Sequence, residues 1–302
     1  MGHENHKHRH DYLLGDHKIA KNEKKTVFVV ILTFVTMIVE ITAGHLTGSM
    51  ALLADGWHMA SHAGALGISV VAYRLAKSGN LNKKLSFGAG KFIPLGGYTS
   101  AIVLALVAIL MGFNSIERLF SPVSIHFNEA ISVAVLGLVV NIVSAVILFD
   151  KHHHHHGDGH RHDHNIRSAY IHVIADALTS VLAIVALIFG KIYGASWLDP
   201  VMGIVGAVVI LRWAYLLSKE TVWELLDGHA KAVNHEEVKS EIENMGVEVS
   251  DLHIWRIAPN ALACELVVFC DEKRGTERFR EKLESKFQFK HLIVEERQCV
   301  HA

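Results

Sequence analysis

The stretch Met50-Ala51-Leu52-Leu53-Ala54-Asp55-Gly56-Trp57-His58-Met59-Ala60-Ser61-His62 decides how the rest of the chain is read. It opens an apolar run over 50–75, yet it holds a carboxylate and two imidazoles. His58 and His62 are four residues apart and Asp55 precedes His58 by three, so a helix carries all three on one side. At a rise of about 1.5 Å per residue, a run of about 20 residues crosses a hydrocarbon core of about 30 Å. An ionisable group at that depth is costly, which makes each one a functional candidate.

Working outward, further apolar segments occur at 26–46, 92–116, 129–149, 166–190 and 197–217, giving six expected spans. Only Tyr193 to Ser196 separates the fifth from the sixth, which predicts a hairpin. The 302 residues are 51% hydrophobic and 20% charged, which excludes disorder for most of the chain. Cys264, Cys270 and Cys299 are too few and too clustered for a disulfide scaffold. A net charge of -1 excludes the basic field of a nucleic-acid binder. Four prolines against 23 glycines suit long helices packed through small residues.

Lys7, Arg9, Lys18, Lys21, Lys24 and Lys25 precede the first span; Lys77, Lys83, Lys84 and Lys91 follow the second; Lys151, Arg161 and Arg167 follow the fourth. The alternate connections carry only Arg118 and Lys191. The positive-inside rule therefore predicts both termini and the loop 151–165 in the cytoplasm. Residues 1–25 read as a histidine-rich cytoplasmic tail, with His3, His6, His8, His10 and His17, and not as a signal peptide. Residues 26–220 read as the membrane domain and 221–302 as a soluble one. In the latter, helical spacing at Val238, Ile242 and Met245 and at Phe279, Leu283 and Phe287 alternates with strands at 249–257, 261–270 and 291–298. That order implies a small α+β domain, with Pro259-Asn260 as its hairpin turn.

Span 5 reads His172-Val173-Ile174-Ala175-Asp176, a second i,i+4 pair. A single membrane histidine commonly serves as an interhelical hydrogen bonder, but two such pairs on separate spans can close one site. His58, His62, His172 and Asp176 would offer three imidazoles and a carboxylate to a tetrahedral divalent transition metal, with Asp55 as an accessory. Glu40 could line the ion path or bond between helices, and Asn141 reads as an interhelical hydrogen bonder. Asp199-Pro200 reads as the N-cap and first-turn proline of span 6. Arg212 can snorkel, and His45 and His126 should be solvated on the outer side. In the loop, His152, His153, His154, His155, His156, His160, His162 and His164 give many weak metal sites on a flexible tract. In the soluble domain, Asp251-Leu252-His253-Ile254-Trp255 makes His253 a candidate ligand, with His229, His235, His291, Cys299 and His301 as possible partners. Cys264 and Cys270 share a strand face and read as packed core thiols.

These motifs, together with Phe87-Gly88 leading to Lys91-Phe92 and Gly137-Leu138-Val139-Val140-Asn141, resemble the cation diffusion facilitator family in order from Lys25 onward. The resemblance implies homodimeric proton antiporters with an all-α six-helix transmembrane domain and a cytoplasmic metallochaperone-like, ferredoxin-like α+β domain. Such proteins are not enzymes, hold no cofactor and move divalent metals out of the cytoplasm; similarity to bacterial members implies the inner membrane. Zinc-selective members usually carry His-x-x-x-Asp in span 2, so His62 resembles the bacterial cobalt and nickel branch. Co2+ or Ni2+ is the expected cargo on that resemblance, with Zn2+ or Cd2+ as the alternative. Imidazole in place of carboxylate disfavours Mg2+, Ca2+ and Mn2+ but does not separate Co2+ from Zn2+. Metal needs neutral imidazoles, so binding displaces protons, which suits alternating access driven by a proton gradient. An intramembrane metalloprotease would need His-Glu-x-x-His, whereas Met59 follows His58 and span 2 has no glutamate. A membrane metal sensor or buffer is the remote alternative; it would bind metal and move none.

Overall fold

The computed structural model describes residues 23–76, 84–149, 162–259, 261–271 and 275–298. For 23–30, 62–63, 65–66, 69–70, 72–73, 76, 145, 147–149 and 162–176 it describes the backbone alone. The described residues divide into two compact units, one made of 23–67 with Thr99–Leu217, the other of Ile68–Tyr98 with Ser218 onward.

The described residues include six long helices: α1 (Glu23–Thr47), α2 (Met50–Ala76), α3 (Phe92–Phe120), α4 (Phe127–Phe149), α5 (His162–Tyr193) and α6 (Leu198–Leu225). Among the described residues, Phe92–Phe120, Phe127–Ser144 and Leu198–Leu225 are long and apolar enough to cross a membrane, and Ile31–Thr47 and Ala177–Tyr193 are shorter apolar stretches. The hairpin between the fifth and sixth segments is present, with α5 ending at Tyr193 and α6 starting at Leu198. One boundary differs: α5 begins at His162, so the last residues of the expected flexible loop are helical, because nothing between His162 and the apolar run breaks a helix.

In the helical unit the polarity of a water-soluble protein is inverted. On α3, Ser100, Ala101, Ala108, Met111 and Ser115 are buried at helical spacing, while Val103, Leu106, Leu110 and Phe113 point outward. On α6, Asp199, Ala207, Ile210 and Ala214 are buried and Val205, Val208 and Leu211 are exposed. Small and polar residues inside, with large apolar ones outside, is the arrangement that lipid selects, because lipid offers no hydrophobic penalty to an outward leucine. Close approach needs small residues: a Cβ on Gly206 of α6 would lie 2.6 Å from the Ala54 Cβ of α2.

The turn between α1 and α2 is tied to distant chain. Gly48 has φ 74°, a conformation open to glycine, and its carbonyl accepts from Arg118. Asp199 does not cap its own helix, as its place in the sequence suggests. Its carboxylate instead caps α2, accepting from Ser49 Oγ at 2.6 Å, Met50 N at 2.7 Å and Ala51 N at 3.1 Å. These amide donors would have no partner in a dry helix end, so a carboxylate lent by α6 replaces the missing local cap.

In the second unit, α7 (His235–Glu243), β1 (Glu248–Ala258), β2 (Ala261–Cys270), α8 (Thr276–Lys286) and β3 (Phe289–Gln298) follow the expected order. β1 pairs antiparallel with β2, and β2 pairs in parallel with β3. The described sheet thus has three strands, where a ferredoxin-like βαββαβ order would supply four. Before α7 the chain makes only an isolated bridge, His229 to Trp255. Val238, Ile242, Leu252, Ile254, Leu266, Phe279 and Leu283 form the core, with Cys264 and Cys270 buried among them. Lys286 reaches Glu241 at 2.7 Å and Glu237 at 2.8 Å, and together with Lys282 draws the Glu241 carboxyl down to about 2.

Asp199→Ala is expected to lower the stability of the detergent-solubilised protein by about 2–4 kcal/mol, since it strands several buried donors at once. Asp199→Asn should recover part of the loss. An unchanged unfolding midpoint for Asp199→Ala would show that α2 is capped in another way.

Candidate metal centre

Asp55 and His58 are both buried on α2, 4% and 5% exposed. Both line a cavity of about 40 Å³, walled by Ala51 and Ala54 of α2, Thr179 and Ala183 of α5 and Gly206 of α6 among others. That volume holds a water molecule or a small cation. The His58 ring meets Trp213 edge-on at 6.1 Å between centroids, and Ser61 Oγ donates to the His58 carbonyl at 2.6 Å.

Asp55 is anchored across the bundle. Ser180 Oγ of α5, itself fully buried, donates to Asp55 Oδ2 at 2.6 Å, and Thr179 Oγ1 donates to Oδ1 at 3.4 Å. Neither Ser180 nor Thr179 stands out in the sequence. The available signal is that Ser180 continues the spacing of His172 and Asp176 by one more turn. Through these hydroxyls Asp55 ties α2 to α5.

His62 lies on α2, and His172 and Asp176 lie on α5, by their backbones; their side chains are outside the described ones. Among the described residues no group of three or more His, Cys, Asp or Glu side chains is placed to hold a metal. Among the described residues that line the cavity none is lysine or arginine; besides Asp55 and His58 they are Thr179 and apolar groups.

The remaining candidates divide clearly. His152, His153, His154, His155, His156 and His160 lie outside the described residues, and His162 and His164 start α5 with their side chains undescribed. His253 is exposed, its Nε2 at 3.1 Å from Asp251 Oδ2. His229 and His235 stack edge to face at 5.1 Å, but His235 Nε2 is engaged with the Leu252 carbonyl at 2.8 Å. His291 packs on Phe87 at 5.3 Å, and Cys299 and His301 lie outside the described residues. Among the described residues, no metal-holding group of side chains forms around His253. Burial, with Glu265 adding, pushes the Cys264 thiol up to about 12, which leaves it a packing group. The Nδ2 of Asn141 is buried with no hydrogen-bond partner among the described residues. His45, His126 and Arg212 are exposed, as expected.

Residues 26–226 match the model of the cation efflux transmembrane domain. The chain is 34% identical over 84% of its length, and 80% of the relative's, to a cadmium, cobalt and zinc/H(+)-K(+) antiporter of Bacillus subtilis. It is 30% identical to the zinc transporter ZitB of Pectobacterium atrosepticum, covering 92% of this chain and 87% of that one. It is also 30% identical to the metal cation efflux system protein CzcD of Cupriavidus metallidurans, covering 95% and 89%. None of these three names nickel.

Ser180→Ala should lower stability in detergent by about 1–3 kcal/mol, since it leaves a buried carboxylate short of a donor. A double-mutant cycle with Asp55→Asn should return a coupling of about 1 kcal/mol or more. Simple additivity would mean that the two helices are registered by other contacts.

Proposed function

Because the chain belongs to the cation efflux family of transmembrane transporters, we propose that it exports Zn2+ from the cytoplasm, with Cd2+ and Co2+ as further cargo, in exchange for protons. The observation that carries this reading is His58, buried beside an ion-sized cavity on a helix that Asp55 ties to α5. Leu52 shares a buried cluster with Leu187, while Asp55, further along α2, meets Ser180, earlier on α5, so the two helices run in opposite directions. One more turn along each brings His58 to the level of Asp176, and the next brings His62 to that of His172. His58, His62, His172 and Asp176 are the proposed ligands of the transported ion.

The cargo differs from the cobalt and nickel preference drawn from His62. The names of the relatives carry zinc, cadmium and cobalt. The chemistry accommodates this, because a nitrogen-rich tetrahedral site accepts Zn2+ as readily as Co2+. Exchanging a carboxylate for an imidazole excludes hard ions without choosing among the borderline ones. The proposal further includes six spans, a homodimer in a bacterial inner membrane, cytoplasmic termini, and a division into tail (1–25), transport domain (26–220) and soluble domain (221–302). The histidines of 151–165 would gather metal at the cytoplasmic mouth.

Ion binding needs neutral imidazoles and an ionised carboxylate, so protons leave as metal arrives. Protons entering from the outer side then compete for the same nitrogen lone pairs and release the metal outward.

Everted membrane vesicles with an imposed pH gradient test the reading. Zn2+ uptake should require the gradient and should fall about a hundredfold or more in His58→Ala and in Asp176→Ala, the size expected when a site ligand is lost. Uptake that survives collapse of the gradient would remove proton exchange. Uptake of Co2+ with none of Zn2+ would overturn the cargo.

A further inference from the structure

Glu40 of α1 is an ionisable side chain of the helical unit that the proposed transport site leaves unused, and it is wholly buried, at 0% exposure. Neither of its carboxyl oxygens has a hydrogen-bond partner among the described residues. Its place is made for it. A Cβ on Gly137 of α4 would collide with Glu40 Oε1, and a Cβ on Gly56 of α2 would lie 3.2 Å from the Glu40 Cβ. A glycine notch on each neighbouring helix therefore admits this side chain. Gly56 adjoins Asp55 and lies two residues before His58, and both of those residues line the cavity.

The charges around it determine what Glu40 can be. From α2 it meets Gly56, whose neighbour in sequence is Asp55, with His58 two residues beyond Gly56. From α4 the described residues on that face are Gly137, Asn141 and Ser144, none of them ionisable. No cation faces it among the described residues. An ionised carboxylate in such a place would have neither a donor nor a counter-ion among the described residues, so the enclosure suits Glu40 as the neutral acid.

We infer that Glu40 is a proton-carrying residue of the exchange: it holds a proton while the site is empty and gives it up when a divalent cation arrives beside Asp55 and His58. This rests on the proposed proton-coupled export and deepens it. The O–H bond of the Glu40 carboxyl breaks, its electron pair stays on the carboxylate, and the proton leaves to water; no oxidant or co-reactant is involved. The dication supplies the opposite charge that makes an ionised Glu40 tolerable, and by reciprocity re-protonation of Glu40 weakens the hold on the metal.

The test uses the full-length protein in proteoliposomes with Zn2+ as the probe. Glu40→Gln is isosteric with the neutral acid and should fold. It should keep Zn2+/Zn2+ exchange across the membrane at equal pH while losing about tenfold in flux driven by a pH gradient, a size typical of coupling between two sites. In detergent it should release about one proton fewer per Zn2+ bound than the wild type. Glu40→Asp should restore part of the gradient-driven flux. If wild-type flux ignores the gradient, the export reading itself fails. If wild-type flux follows the gradient and Glu40→Gln follows it equally, with the same proton release, Glu40 carries no proton. Loss of Zn2+/Zn2+ exchange in a folded Glu40→Gln would make the residue a ligand and overturn the inference. Should the variant fail to fold, infrared difference spectra of the wild type decide. A protonated-carboxyl band must vanish on Zn2+ binding, and its persistence would overturn the inference.

Discussion

The hydrogen bond from Ser180 to Asp55 does more than satisfy a carboxylate. Inside a bilayer no water competes for the acceptor, so breaking the contact would leave a bare charge in a dry interior. Sliding α5 along α2 by one turn, about 5.4 Å, would do that. The bond therefore fixes the register of the two helices that carry the candidate ligands. The close approach of Gly206 to Ala54 brings α6 against the same segment of α2. The cavity beside His58 is what these three helices leave between them.

The same logic governs the end of the bundle. Asp199 lends α6's carboxylate to the first turn of α2, and Arg118 of α3 binds the carbonyl of Gly48 just before it. The helix that presents Asp55 and His58 is thus held at its start by two other helices and at its middle by a third. A ligand pair on a helix free to slide or rotate would not keep a fixed geometry through repeated loading. Polar side chains inside this unit act as positioning devices first, and the large apolar residues turned outward leave the interior to them.

Much of this was legible in the chain. The hydropathy runs gave the six long helices to within four residues except at the end of α6, which runs on to Leu225, and the spacing at Val238 and Ile242 and at Phe279 and Leu283 gave the buried faces of α7 and α8. Periodicity records which face an element buries, and both faces were read correctly. What remained hidden depended on partners far away in sequence. Asp199 looks like a local cap because the proline after it suits a helix start, yet its donors lie about 150 residues earlier. Ser180 looks like any small hydroxyl until Asp55 is set opposite it. The sheet was legible as strands but not as a number of strands, because a residue or two of pairing at His229 leaves no alternation to read. The choice of cargo was not legible for a chemical reason: one imidazole more or less changes the hardness of a site, and the metals in question share the same preference.

Charge accounting ties Glu40 to the site. With a proton on Glu40 and another on one ligand, the empty cluster of Glu40, Asp55, His58, His62, His172 and Asp176 carries some fixed net charge. A dication that displaces both protons brings two positive charges and removes two, so the loaded cluster carries the same net charge. Neither state then has a greater electrostatic cost of being enclosed in hydrocarbon, and the conformational change that turns the site outward need not be biased by one of them. If only the ligand's proton were displaced, loading would add a whole unit of charge to a dry interior, at an effective cost of several kcal/mol. A second carboxyl, buried in its own notch a short way from the ion, is the economical way for a nitrogen-rich site to stay balanced.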